Sequence, residues 1–324
     1  KIKKGHDIKI SGVPDSNIST APIASALALL PSDFKGVKPK LMVKVGDSVK
    51  TGSPLFFDKL NPGVKWASPG SGLIKEIKYG PRRVIEKIEI ELDKEQQSLD
   101  FKSYSMDDIS NLSEDEVLDV ILGANLFPHF RQRPFNTIPD HKIKPRDIFI
   151  SGLNTAPLAV DLEIAMADEI DNFQAGINAI EKLTTGKVYL TNKVDSRLSD
   201  VEKVNINTIE GPHPSGNVGI HIHHISHLKP SELIWTINPQ DVVMIGKLFL
   251  KGVYDPSKII SVAGPGVKNP THLRVKTGYP VESILRSNLS SGDVRLISGD
   301  VLTGRECTLE DYMSFYDSSI SVIS

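Results

Sequence analysis

Thiols are almost absent: Cys307 is the single cysteine in 324 residues. A lone thiol excludes a disulfide within the chain and fits a reducing compartment. It also excludes an iron–sulfur cluster held by this chain alone, because such clusters take four thiolates, or two thiolates and two imidazoles. Long apolar runs are missing too. The longest, Ala21–Leu30, is interrupted by Ser25 and bounded by Pro22 and Pro31. It has half the ~20 residues a helix needs to cross hydrocarbon. No sign of charge dominates: 38 Lys and Arg face 40 Asp and Glu, a formal net charge of −2. Nucleic acid is therefore not an expected partner, since neutralising its backbone needs a basic face. Lys1–Lys4 and Arg82–Arg83 read as solvated surface. Three Asn-x-Ser matches, at Asn17, Asn111 and Asn288, carry no weight without a signal peptide.

Nucleotide fingerprints are also missing. A dinucleotide site wants G-x-G-x-x-G in the first strand-to-helix turn, so that backbone can approach the pyrophosphate. After the strand-like Asp147–Ser151 the chain reads Gly-Leu-Asn-Thr-Ala-Pro instead. Gly264-Pro-Gly-Val-Lys-Asn lacks the third glycine and a following helix, and G-x-x-x-x-G-K-[ST] does not occur. The sequence thus offers no catalytic, cofactor-binding or metal-ligating residue with a signature of its own.

What is there is an ordinary globular balance, 39% hydrophobic and 24% charged, in a chain long enough for two or three domains. Leu41-Met-Val-Lys-Val-Gly-Asp-Ser-Val predicts a strand, a Gly46-Asp47 hairpin turn and a second strand. Ala67-Ser-Pro-Gly-Ser-Gly-Leu-Ile leads into β-branched residues Ile74, Ile77, Val84, Ile85, Ile88 and Ile90. The pattern V-x-V-G-D-x-V-x-x-G-x-x-L followed by S-P-x-x-G-x-I resembles the lipoyl and biotinyl carrier domains, small flattened β-barrels. In a carrier the modified Lys sits at a hairpin tip. Here the insertion Leu60–Trp66 is expected to make Asn61-Pro62-Gly63 the tip and move Lys59 onto a strand flank, leaving a structural barrel.

Residues 101–145 read as a helical linker, with a capping-box start at Ser113-Glu-Asp-Glu and an apolar stripe of Val117, Leu118, Ile121 and Leu122. Arg131-Gln-Arg-Pro-Phe has the composition of a phosphate clamp, but two Arg before a Pro more often pin a loop. Strand Asp147–Ser151, one helix over Leu162–Leu183 and strand Lys187–Leu190 make a βαβ unit and hence a parallel, Rossmann-like sheet. Strands at Val204–Ile209, Glu232–Ile237 and Lys258–Ala263 and a helix at Gln240–Lys251 extend it. Gly211–His227 carries five of the nine histidines. His221 and His223 share a face if the segment is a strand. That spacing suits a metal ligand pair, a polar contact to a quinone head group, or plain packing.

Several segments together point further. Ile2-Lys-Lys-Gly-His-Asp-Ile, Asn61-Pro-Gly-Val-Lys, Arg131-x-Arg-Pro-Phe, Thr185-Gly-Lys-Val-Tyr-Leu, Gly211-Pro-His-Pro-Ser-Gly with His221-Ile-His, Val262-Ala-Gly-Pro-Gly-Val and Ser298-Gly-Asp-Val-Leu-Thr-Gly-Arg occur in that order. They resemble the A subunits of the bacterial Na⁺-translocating NADH:quinone oxidoreductases, along the whole chain. The resemblance implies a peripheral subunit on the cytoplasmic face of the bacterial inner membrane, held there by the other subunits of a complex that oxidises NADH, reduces ubiquinone and moves sodium outward. It implies no redox cofactor bound by this chain, and ubiquinone as the substrate of the complex.

The expected architecture is α/β and multidomain. It comprises a barrel-sandwich of carrier type over 1–100 with an N-terminal extension, the linker over 101–145, the Rossmann-like domain over 146–263, and a small β-grasp-like, soluble-ligand-binding domain over 264–324, trimmed at its C-terminal side. Candidate quinone contacts, named by chemistry alone, are His213, His221, His223, Phe130 and Phe135. The alternatives are a docking subunit without a ligand and a metal-dependent enzyme using His213, His221 and His223.

Overall fold

The computed structural model describes residues 1–324. Residues before β1 (Ile18–Thr20) run as a strap over the rest of the molecule. Ile2 N–H donates to Glu210 O, His6 N–H to His213 O, and Gly264 N–H to Gly12 O.

The barrel follows, with two facing sheets. β2 (Ala26–Leu29), β4 (Ser48–Val49), β7 (Gly72–Tyr79) and β8 (Ile85–Leu92) form one, ordered β2-β8-β7-β4. β3 (Pro39–Leu41), β5 (Pro54–Asp58) and β6 (Asn61–Ala67) form the other. Their inner faces close on Leu55, Val64, Ile74, Ile88 and Ile90 and on Phe56 stacked with Trp66 at 4.6 Å.

Two expectations fail here. The Gly46-Asp47 turn does not join a hairpin: β3 pairs with β5 and β4 with β7, so the turn carries the chain from one sheet to the other. Nor is Asn61-Pro62-Gly63 the hairpin tip. Asp58 pairs with Asn61, which leaves Lys59 and Leu60, both exposed, as the two-residue tip. Asp58 Oδ1 fixes this by accepting from Leu60 N–H and Lys38 N–H, each at 3.0 Å. Pro62 is tolerated because β6 is an edge strand. Gly63 is needed because a Cβ there would come within 2.7 Å of the His141 ring.

The linker holds α1 (Met106–Asn111) and α2 (Glu114–Gly123), each opened by a reciprocal capping box, at Ser105/Asp108 and Ser113/Glu116. A short edge strand, β9 (Arg131–Arg133), then joins the α/β sheet with β10 (Asp147–Ser151), β11 (Val188–Asn192), β12 (Asn205–Thr208) and β13 (Ile234–Ile237). The order is β12-β11-β10-β13-β9, parallel except for β9.

The expected single helix over Leu162–Leu183 is two: α3 (Leu162–Ala165) and α4 (Ile170–Ile180). They serve different partners. Ala165 packs with Val160 and Ile259, while Phe173 and Ile177 enter the main core. α6 (Pro239–Lys251) lies against α4 so closely that a Cβ on Gly246 would meet Asn172 O at 1.7 Å.

The His221–His223 segment is α5 (Val218–Ile225), not a strand. Ile222 packs on Phe149 and Ile234, with Val218 and Ile225 beside it. That is an i, i+4, i+7 stripe, and it covers the sheet face opposite α4 and α6.

The third unit begins earlier than expected. β14 (Ser257–Ala263), placed by its sequence in the Rossmann-like domain, instead bonds to β15 (Thr271–Lys276) and, in parallel, to β18 (Ser319–Ile323). The chain leaves the α/β layer where α6 ends on left-handed Gly252, and a β-branched strand of this composition suits either sheet. β16 (Arg295–Ser298) and β17 (Arg305–Cys307) complete the order β1-β15-β14-β18-β16-β17. α7 (Val281–Leu285) packs its Val281, Ile284 and Leu285 across Ile260, Val262 and Ile320. Two parallel central strands, flanking antiparallel ones and one crossing helix make this sheet β-grasp-like.

The three units are locked by aromatics. Phe34 of the barrel meets Trp66 at 4.9 Å and Phe315 at 5.0 Å; Phe315 meets His129 at 4.8 Å. Tyr316 O–H donates to Pro128 O at 2.7 Å.

Candidate functional site

In an open α/β sheet the ligand crevice lies beyond the carboxyl ends of the strands, where the chain reverses its direction of growth. Here β10, β11 and β12 are laid outward in turn, and β13 then lands on the other side of β10. The loops after β10 (Ser151–Asn154) and β13 (Asn238–Asp241) flank a cleft of about 890 Å³. Its other walls are β9, the start of α5, Asp33 of the barrel, and Asp300–Arg305 and Ser314–Ser318 of the β-grasp-like unit. A smaller hollow of about 480 Å³ opens beside it under Val13, Pro14 and Ser16 of the strap.

Charges of both signs face the cleft. Each acid is already engaged. Asp241 Oδ1 lies 2.9 Å from His129 Nδ1, and Asp33 Oδ2 accepts from Phe315 N–H at 2.8 Å. Asp317 accepts from Ser298 Oγ–H at 2.6 Å, and Asp300 accepts from Leu302 and Thr303 of its own turn. Burial pushes the Asp33 carboxyl up to about 6 and raises Asp317 as well. Lys258 donates to Phe315 O at 2.9 Å and Asp317 O at 2.6 Å, and its burial lowers its pKa. Arg131 stacks over the Tyr316 ring at 4.4 Å.

Of the five candidate quinone contacts, only His213 lines this cleft. Its Nδ1 lies 3.2 Å from Thr155 Oγ, which also accepts from Gly216 N–H. The Asp7 carboxylate of the strap accepts from His213 N–H. His221 is fully buried inside α5. Its Nε2 lies 2.7 Å from Ser215 O, and a carbonyl can only accept, so Nε2 carries the proton. Burial pushes this imidazole down to about 4, so it stays neutral near pH 7 and has no route to a ligand. His223 is exposed on the outside of the helix, its ring against those of His224 and His227.

Phe130 is sealed in the core against Phe127 and Trp235, whereas Phe135 is 67% exposed. The five residues do not converge. The alternative metal set of His213, His221 and His223 fails for the same reason, and no group of three His, Cys, Asp or Glu side chains is arranged to hold a metal ion.

The sequence did contain a signal for part of the cleft. Arg131-x-Arg133 on a strand puts both guanidinium groups on one face. Asp33, Lys258 and Asp317, far apart in the chain, had no such signal.

Profiles of one family match in chain order. The NqrA N-terminal barrel-sandwich hybrid domain covers residues 1–93, the NqrA second alpha/beta domain 112–254, and the NQRA C-terminal domain 259–308. Among curated proteins, the A subunit of the Na(+)-translocating NADH-quinone reductase of Marinomonas sp. (strain MWYL1) is 38% identical over all of this chain and 73% of its own length. The protein of the same name from Yersinia pestis is 36% identical over the same shares, and that of Pseudomonas aeruginosa (strain UCBPP-PA14) 37% over 94% of this chain and 68% of its own. A chain of an air-oxidized NAD⁺-reducing [NiFe]-hydrogenase overlays 65% of this chain and 46% of its own at 13% identity, with a TM-score of 0.48. With three domain profiles in chain order and relatives 36–38% identical over nearly all of this chain, the chain belongs to the NqrA family, the A subunits of the Na⁺-translocating NADH-quinone reductases.

Proposed function

We propose that this chain works as a peripheral subunit of a Na⁺-translocating NADH-quinone reductase, binding no redox cofactor of its own and contributing to the quinone path or to assembly. The observation that carries this is the likeness, along the whole of this chain, to relatives bearing that name. In such an assembly NADH supplies two electrons, partner subunits carry them, and ubiquinone takes up two electrons and two protons. No helix here is long and apolar enough to cross a membrane, so attachment at the cytoplasmic face would run through partner subunits.

The quinone reading is supported by the position of His213 at the crevice, next to Thr155 and the apolar side chains of Leu153, Val160 and Ile220. A short-chain quinone titrated into the protein should shift the His213 ring resonances saturably and leave those of buried His221 in place. Absence of any saturable shift would remove the quinone reading.

A docking reading is favoured by a different observation, the scatter of the other four candidates between core and surface. Under it, His213→Ala leaves NADH-driven quinone reduction by the assembled complex intact, while deleting this chain abolishes assembly on a native gel. If the complex assembled and reduced quinone without this chain, both readings would fall.

A further inference from the structure

Arg131 and Arg133 are partly buried cations without a carboxylate partner. The arginine ion pairs of the molecule are those of Arg146 with Asp147 and Glu232, and of Arg286 with Glu282. Arg131 and Arg133 make none, and neither guanidinium donates a hydrogen bond within the chain. Arg133 Nε is buried without a partner, as is the acceptor Asn136 Oδ1 three residues on. All three residues line the same cleft.

A guanidinium carries five donors and cannot shed its charge, so leaving one partly buried and unpaired is costly. Here two sit side by side on β9, where the turn after the strand gives them no carboxylate neighbour. Burial first, and then repulsion by Arg131, holds Arg133 below the usual guanidinium value. The acids across the cleft do not relieve this: none has an oxygen within 4.0 Å of either guanidinium, and each accepts from another donor, Asp241 lying beside His129, Asp33 taking Phe315 N–H and Asp317 taking Ser298 O–H. Arg131 is held in place by stacking on Tyr316, which orients its fork without using its donors.

We propose that this end of the cleft is a binding site for a small oxyanion of the phosphate class, clamped by the Arg131 and Arg133 guanidinium groups, with Asn136 Oδ1 accepting from a hydroxyl of the same ligand. Guanidinium forks match the spacing of phosphate oxygens, and charge-assisted bonds of this kind are the strong ones. The orphan acceptor adds a condition that simple charge does not: the ligand carries an O–H beside its anionic oxygens. Hydrogen phosphate meets it with its own P–O–H, and a phosphate monoester of a polyol meets it with the alcohol part. The ligand would touch the α/β sheet on one side and face Arg305 and Ser314–Asp317 of the β-grasp-like unit on the other. The site does not depend on the chain's role toward quinone.

The test is calorimetric titration of the purified protein at constant ionic strength with four probes: inorganic phosphate, ribose 5-phosphate, sulfate and succinate. Saturable binding of a phosphate probe is expected, weakened at least tenfold by Arg133→Gln and by Asn136→Ala and unchanged by Arg82→Gln on the barrel surface. A tenfold preference for the sugar phosphate over inorganic phosphate assigns the site to an ester, and the converse assigns it to the free anion. Sulfate, which has no O–H at neutral pH, should bind more weakly than phosphate. No saturable binding by any probe, or binding that Arg133→Gln leaves unchanged in a variant whose circular dichroism and melting are those of the parent, would overturn the proposal. Arg133→Gln is the decisive variant because its side chain makes no hydrogen bond whose loss would disturb the fold. Failure of the quinone titration described above would leave this result standing.

Discussion

The histidine block of α5 and the arginine pair of β9 sit on the same α/β sheet and have opposite fates. The block is the more conspicuous in sequence, with five histidines in one short segment. Yet His221 is bonded to its own loop at Ser215 and buried, and His223 points to solvent. The pair is inconspicuous, two arginines before a proline, yet it lines a cleft and Arg133 Nε is buried there without a partner. Chemical rarity along a chain and chemical availability in a fold are separate properties. Availability is decided by what each group already bonds, and that depends on segments remote in sequence.

The largest effect that would sharpen this contrast is on stability. His221→Ala removes a buried side chain, leaves Ser215 O without its donor and opens a cavity beside Ile222. We expect a loss of roughly 3 kcal/mol in urea unfolding, summing the cavity and orphaned-acceptor costs. His223→Ala on the same helix should change stability by less than about 0.5 kcal/mol. Equal losses at the two positions would break the distinction between an engaged and a free histidine.

Next comes pH. The folded pKa of His221, about 4, lies below its ordinary 6.5, so the folded state binds fewer protons than the unfolded chain between those values. Its contribution is complete above pH 6.5 and is lost as the pH falls toward 4, by up to roughly 3 kcal/mol. Asp33 runs the other way: raised from 3.8 to about 6, it stabilises most below pH 4 and loses its contribution as the pH rises through 6. Between pH 4 and 6 the two slopes oppose and flatten the stability profile. Asp33→Asn keeps an oxygen for the Phe315 N–H bond and removes the buried charge. It should raise stability by about 2 kcal/mol at pH 8 and not at pH 4, and leave an acid slope set by His221. An unchanged profile in this variant would mean that Asp33 ionises normally.

These contrasts bear on what could be read in advance. The barrel-sandwich and the parallel sheet are legible because strand periodicity and turn residues are local; the β-grasp-like unit is expected only from the family resemblance. The capping box of α2 at Ser113 is legible for the same reason, whereas that of α1 closes on Asp108 instead of a Glu or Gln and has no such signature. What failed depended on distant partners. Gly46-Asp47 looks like a hairpin turn, but β3 and β4 find their partners in different sheets. Ile220-His-Ile-His alternates as a strand does, and only Phe149 and Ile234, which Ile222 meets, make it a helix. The strand Lys258–Ala263 reads alike for either sheet until β18, at the far end of the chain, claims it.

The smallest expected stability effect is also the most discriminating. If Arg133 were a structural pin, as two arginines before a proline suggest, Arg133→Gln would cost a hydrogen bond or an ion pair, about 1–2 kcal/mol. The structure gives Arg133 neither, and its burial beside Arg131 is unfavourable. Arg133→Gln should therefore leave stability within about 0.5 kcal/mol of the parent or raise it slightly, because a repelling, desolvated charge is removed. A group whose removal costs the free protein nothing while weakening anion binding is one kept for a ligand. A clear loss of stability in Arg133→Gln, with binding unaffected, would return the arginine pair to the same class as His221.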